Sequence, residues 1–270
     1  MIEEINGDLN LSTIDRARYV YRNFVRNTFD IGRGPKTEMF RPDVKNVSAL
    51  YCGQSPGRLL TEAYIADVLP KLLYNRVIDV LEVGCGSGSM ADRIAGLGFR
   101  GRYGGVDIQD KFRRDRPSNF PFEVTFHLKD IHDFSPSEKV DLIISVSALE
   151  HIPNDSIAIR KFPLNMKSGG VEIHVVPSGA SLAAYLLHGY RQYTPARIAL
   201  KFGPQVKIIR LGGLGSYLLH LSFITLPDLI FRRSLRKAAP GVYRLLLLAA
   251  LYIDKWLPIC PTAYAVVRRY

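Results

Sequence analysis

Between residues 76 and 177 short apolar runs alternate with helical stretches, and this alternation constrains the fold more than any other feature of the sequence. Residues 77–83, 103–106, 124–126, 140–146 and 171–176 read as strands, with helices at 89–97 and 154–166 between them. Strands apolar on both faces need cover on both faces, and strands separated by helices do not pair as hairpins. The pattern therefore predicts an α/β fold, a mostly parallel sheet with helices on either side. The pair Gly169-Gly170 is expected to stop the last of these helices before its strand. Ahead of this core, Ile14, Ala17, Tyr21, Phe24 and Val25 repeat as one face of a helix over 14–29. A loop from Gly32-Arg33-Gly34-Pro35 to Ser55 follows, then a helix over 56–73 opening on Pro56, where the missing N–H costs nothing. Residues 206–210 read as a sixth strand and 264–267 as a last short one.

The densest local signal is Val80-Leu81-Glu82-Val83-Gly84-Cys85-Gly86-Ser87-Gly88-Ser89, where a strand ends, three alternate glycines follow and a helix begins. Glycines there permit positive φ and let the backbone approach a ligand closely. The spacing differs from the dinucleotide pattern G-x-G-x-x-G, because the third glycine comes one residue early. Carboxylates then recur at the ends of successive strands: Asp107 after Gly105-Val106, and Asp130 after Leu128-Lys129. The carboxyl ends of parallel strands are where open α/β sheets bind ligands, and Asp107 is suited to accept hydrogen bonds from ribose hydroxyls. Taken singly, each aspartate reads as a helix cap or a solvated loop residue; the ordered set reads as a nucleoside site.

Residues 77–177 resemble the core of class I S-adenosylmethionine-dependent methyltransferases. The resemblance rests on Leu81-Glu82-Val83-Gly84-Cys85-Gly86-Ser87-Gly88, Gly105-Val106-Asp107, Lys129-Asp130-Ile131, Val140-Asp141-Leu142-Ile143-Ile144-Ser145 and Leu149-Glu150-His151-Ile152-Pro153, with the glycine pair before Val171. It implies a Rossmann-like sheet of seven strands with helices on both faces and an antiparallel last strand, which residues 264–269 resemble. It also implies S-adenosyl-L-methionine as cofactor. The loop Gly84, Cys85, Gly86 and Gly88 would hold the methionine moiety, Asp107 the ribose, and Asp130 with the Ile131 amide the adenine. Glu82 stands beside the loop, and Ile108 and Ser145 complete the implied cofactor set. The corresponding division of the chain is a helical cap at 1–75, a cofactor-binding core at 76–210, a helical insertion at 211–261 and the last strand at 262–270.

A sulfonium methyl is already activated, so positioning supplies much of the rate; an oxygen acceptor also needs its proton removed. His151 lies where the resemblance puts the reacting methyl, and is the first candidate base, with Glu150 to orient its ring. The alternative is that His151 only packs on cofactor or caps a helix. His188 is the second candidate. It opens His188-Gly189-Tyr190-Arg191-Gln192-Tyr193-Thr194-Pro195, which resembles an H-x-Y-x-x-Y/F-T-P element found after the fifth strand in a subset of these methyltransferases. There Tyr190, Arg191 and Tyr193 would contact the acceptor; alternatively, Tyr193 and Pro195 simply start a helix at Ala196. His174, inside a strand, reads as a satisfied core residue, and His127, His132 and His220 carry no argument. No His/Cys/Asp/Glu spacing along the chain suggests a metal site, so metal-independent transfer is expected.

Charge separates the chain into two parts. Residues 1–196 carry 24 basic and 23 acidic side chains, whereas 197–270 carry 12 basic and two acidic ones, Asp228 and Asp254, giving most of the net +11. Residues 211–227 hold no Asp, Glu, Lys or Arg but are broken by Gly212, Gly213 and Gly215; at 17 residues they fall just short of a membrane span. Arg232, Arg233, Arg236 and Lys237 follow, then an apolar run at 245–253. Such a composition predicts helices lying on an anionic membrane surface. Two other readings stand beside it: leucines that cover the sheet or a homodimer interface, and arginines that form a solvated face. Nucleic acid is disfavoured, since the cations are interleaved with Leu, Ile and Ala rather than stackable aromatics. Three cysteines without C-x-x-C spacing and an acidic start, Met1-Ile2-Glu3-Glu4, point to the cytoplasm. The expectation is a peripheral O-methyltransferase on the inner face of the membrane, acting on a glycan or lipid-linked saccharide. A prenylated quinone or other lipid acceptor, or a non-catalytic scaffold keeping the fold, are the alternatives.

Overall fold

The computed structural model describes residues 5–30, 33–186, 188–231 and 233–270. The expectations for Met1, Ile2, Glu3, Glu4, Gly32 and Arg232 lie outside the described residues. In chain order the elements are α1 (Thr13–Phe29), β1 (Glu38–Met39), α2 (Val44–Ala49), α3 (Pro56–Leu72), β2 (Val77–Val83), α4 (Ser89–Gly96), β3 (Arg100–Asp107), β4 (Phe122–Leu128), β5 (Val140–Val146) and α5 (Asp155–Lys161). They continue with β6 (Met166–Pro177), α6 (Pro195–Phe202), β7 (Lys207–Leu211), α7 (Leu214–His220), α8 (Leu226–Phe231), α9 (Pro240–Trp256) and β8 (Ala263–Arg269). Helix starts follow local chemistry: the hydroxyls of Ser12, Ser55 and Thr194 accept the orphan amides of Asp15, Arg58 and Arg197, and Pro56 and Pro195 occupy first turns.

The strands form one sheet in the order β1-β7-β8-β6-β5-β2-β3-β4, in which β8 runs antiparallel to both neighbours and every other pairing is parallel. The sheet has eight strands rather than seven. The addition is β1, whose two residues pair with Ile209 and Arg210 of β7 at the sheet edge, reinforced by a Lys207–Glu38 ion pair at 2.8 Å. A two-residue strand carries no periodicity to read. The helix expected over 154–166 ends early: α5 stops at Lys161 and a 3₁₀ turn spans Phe162–Asn165. Pro163, which has no N–H to give, lies at that break. Gly169-Gly170 is likewise not a stop before a strand. Both glycines lie inside β6, where pairing with β5 jumps from Val140–Met166 to Leu142–Val171, and Gly169 at φ 79° turns through the irregularity.

Alternate residues of the central strands feed two cores. Leu142, Ile144 and Ile173 pack with α3, α4 and α9, whereas Leu81, Val83 and Ile143 pack on the opposite face with α5 and α6. Between β7 and β8, α7, a π-helical turn over Leu221–Thr225 and α8 run on as one continuous helix. That helix, Leu214–Phe231, has the length and composition to cross a membrane, one residue more than the apolar run predicted, and 33% of it is buried. It is tied to α9 through buried Asp254, which accepts hydrogen bonds from the Ser216 amide (3.0 Å) and the Ser216 hydroxyl. Parallel strands direct their carboxyl ends to one edge, so the loops after β2, β3, β4, β5 and β6 meet there.

Candidate functional site

A cavity of about 570 Å³ opens at that edge. Val83 and Gly84 line it from the end of β2, Asp107 and Ile108 from β3, Asp130 and Ile131 from the turn after β4, and Ala148 and His151 from the turn after β5. The glycine turn is built for close approach. Gly84 adopts φ 69°, and a Cβ there would lie 2.4 Å from the Ala148 Cβ, so any side chain would force the β2 and β5 loops apart. Gly86 (φ 52°) faces open space, where a side chain would project unopposed. The Gly86 amide donates to Asp107 Oδ2 at 2.8 Å, and Asp107 Oδ1 accepts from the Gln109 amide at 2.9 Å. The two loops are thereby locked together, and the carboxylate keeps lone pairs for a ligand. Asp130 is similarly fixed, its Oδ1 accepting from the His132 amide and pairing with His132 Nδ1, both at 2.8 Å.

Several predicted cofactor residues stand behind the wall instead. Glu82 is buried, receives the Tyr103 hydroxyl, and is not part of the cavity lining; burial pushes its carboxyl up to about 8, against the pull of the Tyr103 hydrogen bond. Cys85 is buried as well, and burial raises its thiol. A Cβ on Gly105 would lie 2.8 Å from its sulfur, and one on Gly88 would lie 2.6 Å from the Phe126 ring, so both positions serve packing. Ser145 does not reach the cavity. It is fully buried and hydrogen-bonded at 2.8 Å to Nδ1 of His174, which is itself a core residue beside Glu172. A strand residue one or two positions from the carboxyl end still points into a core.

Where Asp8 and His151 line the cavity, the structure brings His151, His188 and Glu150 together, and Asp8, which no local pattern marks, joins them. Asp8 Oδ2 lies 2.7 Å from His151 Nδ1 and accepts the Gly189 amide at 3.0 Å; Asp8 Oδ1 lies 3.4 Å from His188 Nδ1. The two imidazoles meet edge to face with centroids 4.6 Å apart. Glu150 lies under both: its Oε1 is 3.9 Å from His151 Nε2 and 3.7 Å from His188 Nε2. Burial favours the neutral form of His188, but hydrogen bonding to Asp8 and attraction to both Asp8 and Glu150 prevail and push it up to about 9. For Asp8, burial is likewise outweighed by hydrogen bonds from His151 and His188, which hold its carboxyl far below the usual range. The segment that delivers His188 is pinned from three sides. Tyr19 donates to the His188 carbonyl (2.7 Å), the Gly7 amide to that of Gly189 (2.7 Å), and the Tyr190 amide to that of Glu150 (2.7 Å). Gly189, at φ 60°, passes so near that a Cβ would sit 2.7 Å from the Glu150 carbonyl oxygen.

Two predicted acceptor contacts are corrected. Arg191 is 2% exposed; it donates to the Ile152 carbonyl (2.7 Å) and pairs with Asp155. Tyr193 is wholly buried and donates to Asp155 Oδ2 at 2.7 Å. Asp155, at the start of α5 and also held by Lys201, is the anchor for this element. Thr194 caps α6 and Pro195 opens it, as the helix-start alternative had it. Tyr190 alone of the three stays partly accessible, with the Arg191 guanidinium 5.4 Å from its ring. Lys129, quoted in the motif without a role, also lines the cavity, as do Lys111 and Ser147, which no motif includes. Ser147, at φ 50°, turns the chain out of β5 in a conformation rare for a side-chain-bearing residue, and no sequence signal announces it.

This arrangement is matched by known proteins. Residues 75–186 match the family described as "Methyltransferase domain". That stretch is a class I S-adenosylmethionine-dependent methyltransferase domain, and its cavity has the parts to hold the cofactor: a glycine turn with open space at Gly86, and Asp107 and Asp130 at successive strand ends. Among curated proteins, the chain is 24% identical over 106 residues to a mitochondrial ubiquinone biosynthesis O-methyltransferase of Candida albicans, covering 37% of this chain and 32% of that protein. The chain thus spans about a third of the length of that relative. Among solved structures it is similar to a sarcosine dimethylglycine methyltransferase of Galdieria sulphuraria (TM-score 0.52, 13% identity, 93% of this chain and 98% of that one). It is also similar to the [4+2]-cyclase SpnF (TM-score 0.53, 14% identity, 95% and 94%). The fold alone therefore does not assign the reaction.

Proposed function

We propose that the protein transfers a methyl group from S-adenosylmethionine to a hydroxyl of a lipid-borne acceptor at an anionic membrane surface on the cytoplasmic side. The observation that carries this reading is the cavity that sets the glycine turn, Asp107 and Asp130 at one end and the Asp8, His151, His188 cluster at the other. The cofactor, when bound, supplies a methyl already activated on a sulfonium. The Gly84–Gly88 turn would admit its methionine portion without steric conflict, Asp107 would accept its ribose hydroxyls, and Asp130 with the Ile131 amide would border its adenine. The chain's remaining task is to hold the acceptor oxygen in line and to take its proton. His151 faces the cavity for that purpose, with its Nδ1 held by Asp8.

Burial of Arg191 and Tyr193 removes the contacts that favoured a sugar, so an apolar acceptor of the prenylated-quinone type is the first reading and a lipid-linked saccharide the second. Support for a lipid comes from a mainly apolar cavity of about 860 Å³ between α1 and residues 179–186, lined by Val20, Phe24, Leu182 and Leu186. Further support is the face presented by the C-terminal helices: Ile230, Phe231, Leu245, Tyr252 and Trp256 are exposed, and Arg233, Arg236, Lys237, Arg244 and Lys255 lie among them in sequence. The cysteines are free thiols, in keeping with a reducing compartment.

Incubation with methyl-labelled cofactor and separated lipid, glycolipid and RNA fractions tests the reading. Label is expected in the neutral lipid fraction. Label in glycolipid selects the saccharide, and label only in RNA, or none where the cofactor binds, rejects the proposal.

A further inference from the structure

The cluster beside the cofactor cavity has a composition that acid–base work alone does not require. Asp8, His151 and His188 each offer one ligand atom, and these atoms all lie within 4.8 Å of one another. The carboxylate faces the same nitrogen, Nδ1, of both rings, at 2.7 Å and 3.4 Å. The opposite nitrogens, both Nε2, face Glu150. Glu150 is fully buried, and neither of its oxygens has a hydrogen-bond partner among the described residues. Such a carboxylate is costly unless positive charge stands in front of it, whether on a facing imidazole or on a cation that the imidazoles hold. Asp8 and Glu150 bring two negative charges to two imidazoles.

We infer that Asp8 and the Nδ1 atoms of His151 and His188 form a binding site for one first-row divalent cation of the zinc, manganese or iron type, with Glu150 orienting both rings from behind. Two imidazoles and one carboxylate are the donor set such ions take, leaving positions open for other ligands. A carboxylate behind a metal-bound imidazole accepts its other N–H and fixes which nitrogen carries the lone pair; Glu150 stands where it would do this for two rings at once. The ligand atoms close around an ion with side-chain shifts of about 1 Å or less, since ligands of one ion stand roughly 3 Å apart at bond lengths near 2.1 Å. Asp8 and His151 line the cavity, so the open coordination positions face the place of transfer. An acceptor hydroxyl entering there becomes more acidic, as water does on a bound divalent ion; with His151 Nδ1 on the cation and its Nε2 toward Glu150, the ion takes over the part of the base and the proton passes to water. This inference deepens the proposed methyl transfer and rests on that reading for its purpose, but the cation site itself stands on the four side chains.

The full-length protein, stripped with chelator and dialysed, is titrated with Co²⁺ and Zn²⁺ by calorimetry, with the visible absorption of Co²⁺ followed alongside. One equivalent is expected to bind with micromolar affinity or tighter, and to give a spectrum of a nitrogen- and oxygen-ligated ion. His188→Gln is expected to weaken binding more than 100-fold, and Glu150→Gln by 10- to 100-fold. His127→Gln, on β4 against Phe134 and away from the cluster, is expected to leave cation binding unchanged. Circular dichroism and S-adenosylmethionine binding report whether each variant is folded. The inference is overturned by wild-type protein that binds no ion, or by folded His188→Gln and Glu150→Gln proteins that bind as the wild type does; the proposed methyl transfer then survives if cofactor binding and lipid labelling persist. One bound ion with no labelling of any fraction upholds the site and rejects that transfer.

Discussion

The sheet and the helices over residues 214–256 bury their apolar side chains in opposite ways. In β5 every residue but Asp141 is buried, because helices cover both faces of the sheet. In α9, Tyr243, Leu247, Ala250 and Leu251 are buried against the sheet side, while Val242, Leu245, Leu246, Tyr252, Ile253 and Trp256 are exposed. The two regions also differ in how charge is used. In the core, carboxylates at strand ends are fixed by amides and ion pairs, as at Asp107 and Asp130. In the helical part the one buried carboxylate, Asp254, is consumed in joining α9 to α7. A layer packed on one side only has a second face to satisfy, and an apolar second face flanked by cations fits an anionic bilayer better than water.

The difference predicts effects that separate cleanly. The largest is expected for Asp107→Ala, which removes the ribose acceptor and the anchor of the Gly86 amide. S-adenosylmethionine affinity by calorimetry should fall about 1,000-fold, at two charge-assisted hydrogen bonds of ~2 kcal/mol each, and vesicle binding should be unchanged. Next, joint replacement of Arg233, Arg236 and Lys237 by Gln should lower partition onto anionic vesicles about 100-fold in flotation, at ~1 kcal/mol per cation. Cofactor affinity should stay within twofold; loss of both activities together would show that the regions are not separable. Third, Asp254→Ala leaves the Ser216 amide and hydroxyl buried without a partner, and should cost about 2 kcal/mol in chemical denaturation. A separate effect concerns pH. Glu82 binds its proton more tightly when folded, with a carboxyl pushed up to about 8 from an ordinary value of 4.5. Between those limits the folded state holds the proton that the unfolded chain releases. Stability should therefore fall as pH rises through that window, by at most ~1.4 kcal/mol per unit, and level off above it. Glu82→Gln should flatten the slope.

Much of the core was legible because its signals are local. Strands apolar on both faces, glycines that a turn demands and aspartates at strand ends stand within a few residues of the structure they specify. The site's polar end is a product of distance: Asp8 meets His151 across 143 residues of sequence, and nothing in its surroundings distinguishes it from a solvated aspartate. Arg191 and Tyr193 failed differently. Their residue types suit a saccharide and equally suit a buried anchor on Asp155, and only the path of the loop decides which side of it they occupy. Leucines and cations in the last third revealed an amphipathic tendency; which leucines face the sheet depends on the junction between α7 and α9. A short edge strand such as β1 has too few residues for any pattern.

The Gly7–Gly189 and Asp8–Gly189 hydrogen bonds tie the segment ahead of α1 to the loop that follows β6. Asp8 and Gly189 are separated by 181 residues, so translation must pass β6 before the histidine cluster can close. A chain cut short of residue 189 therefore keeps the sequence of the glycine turn and the aspartates at the strand ends but cannot form the histidine cluster.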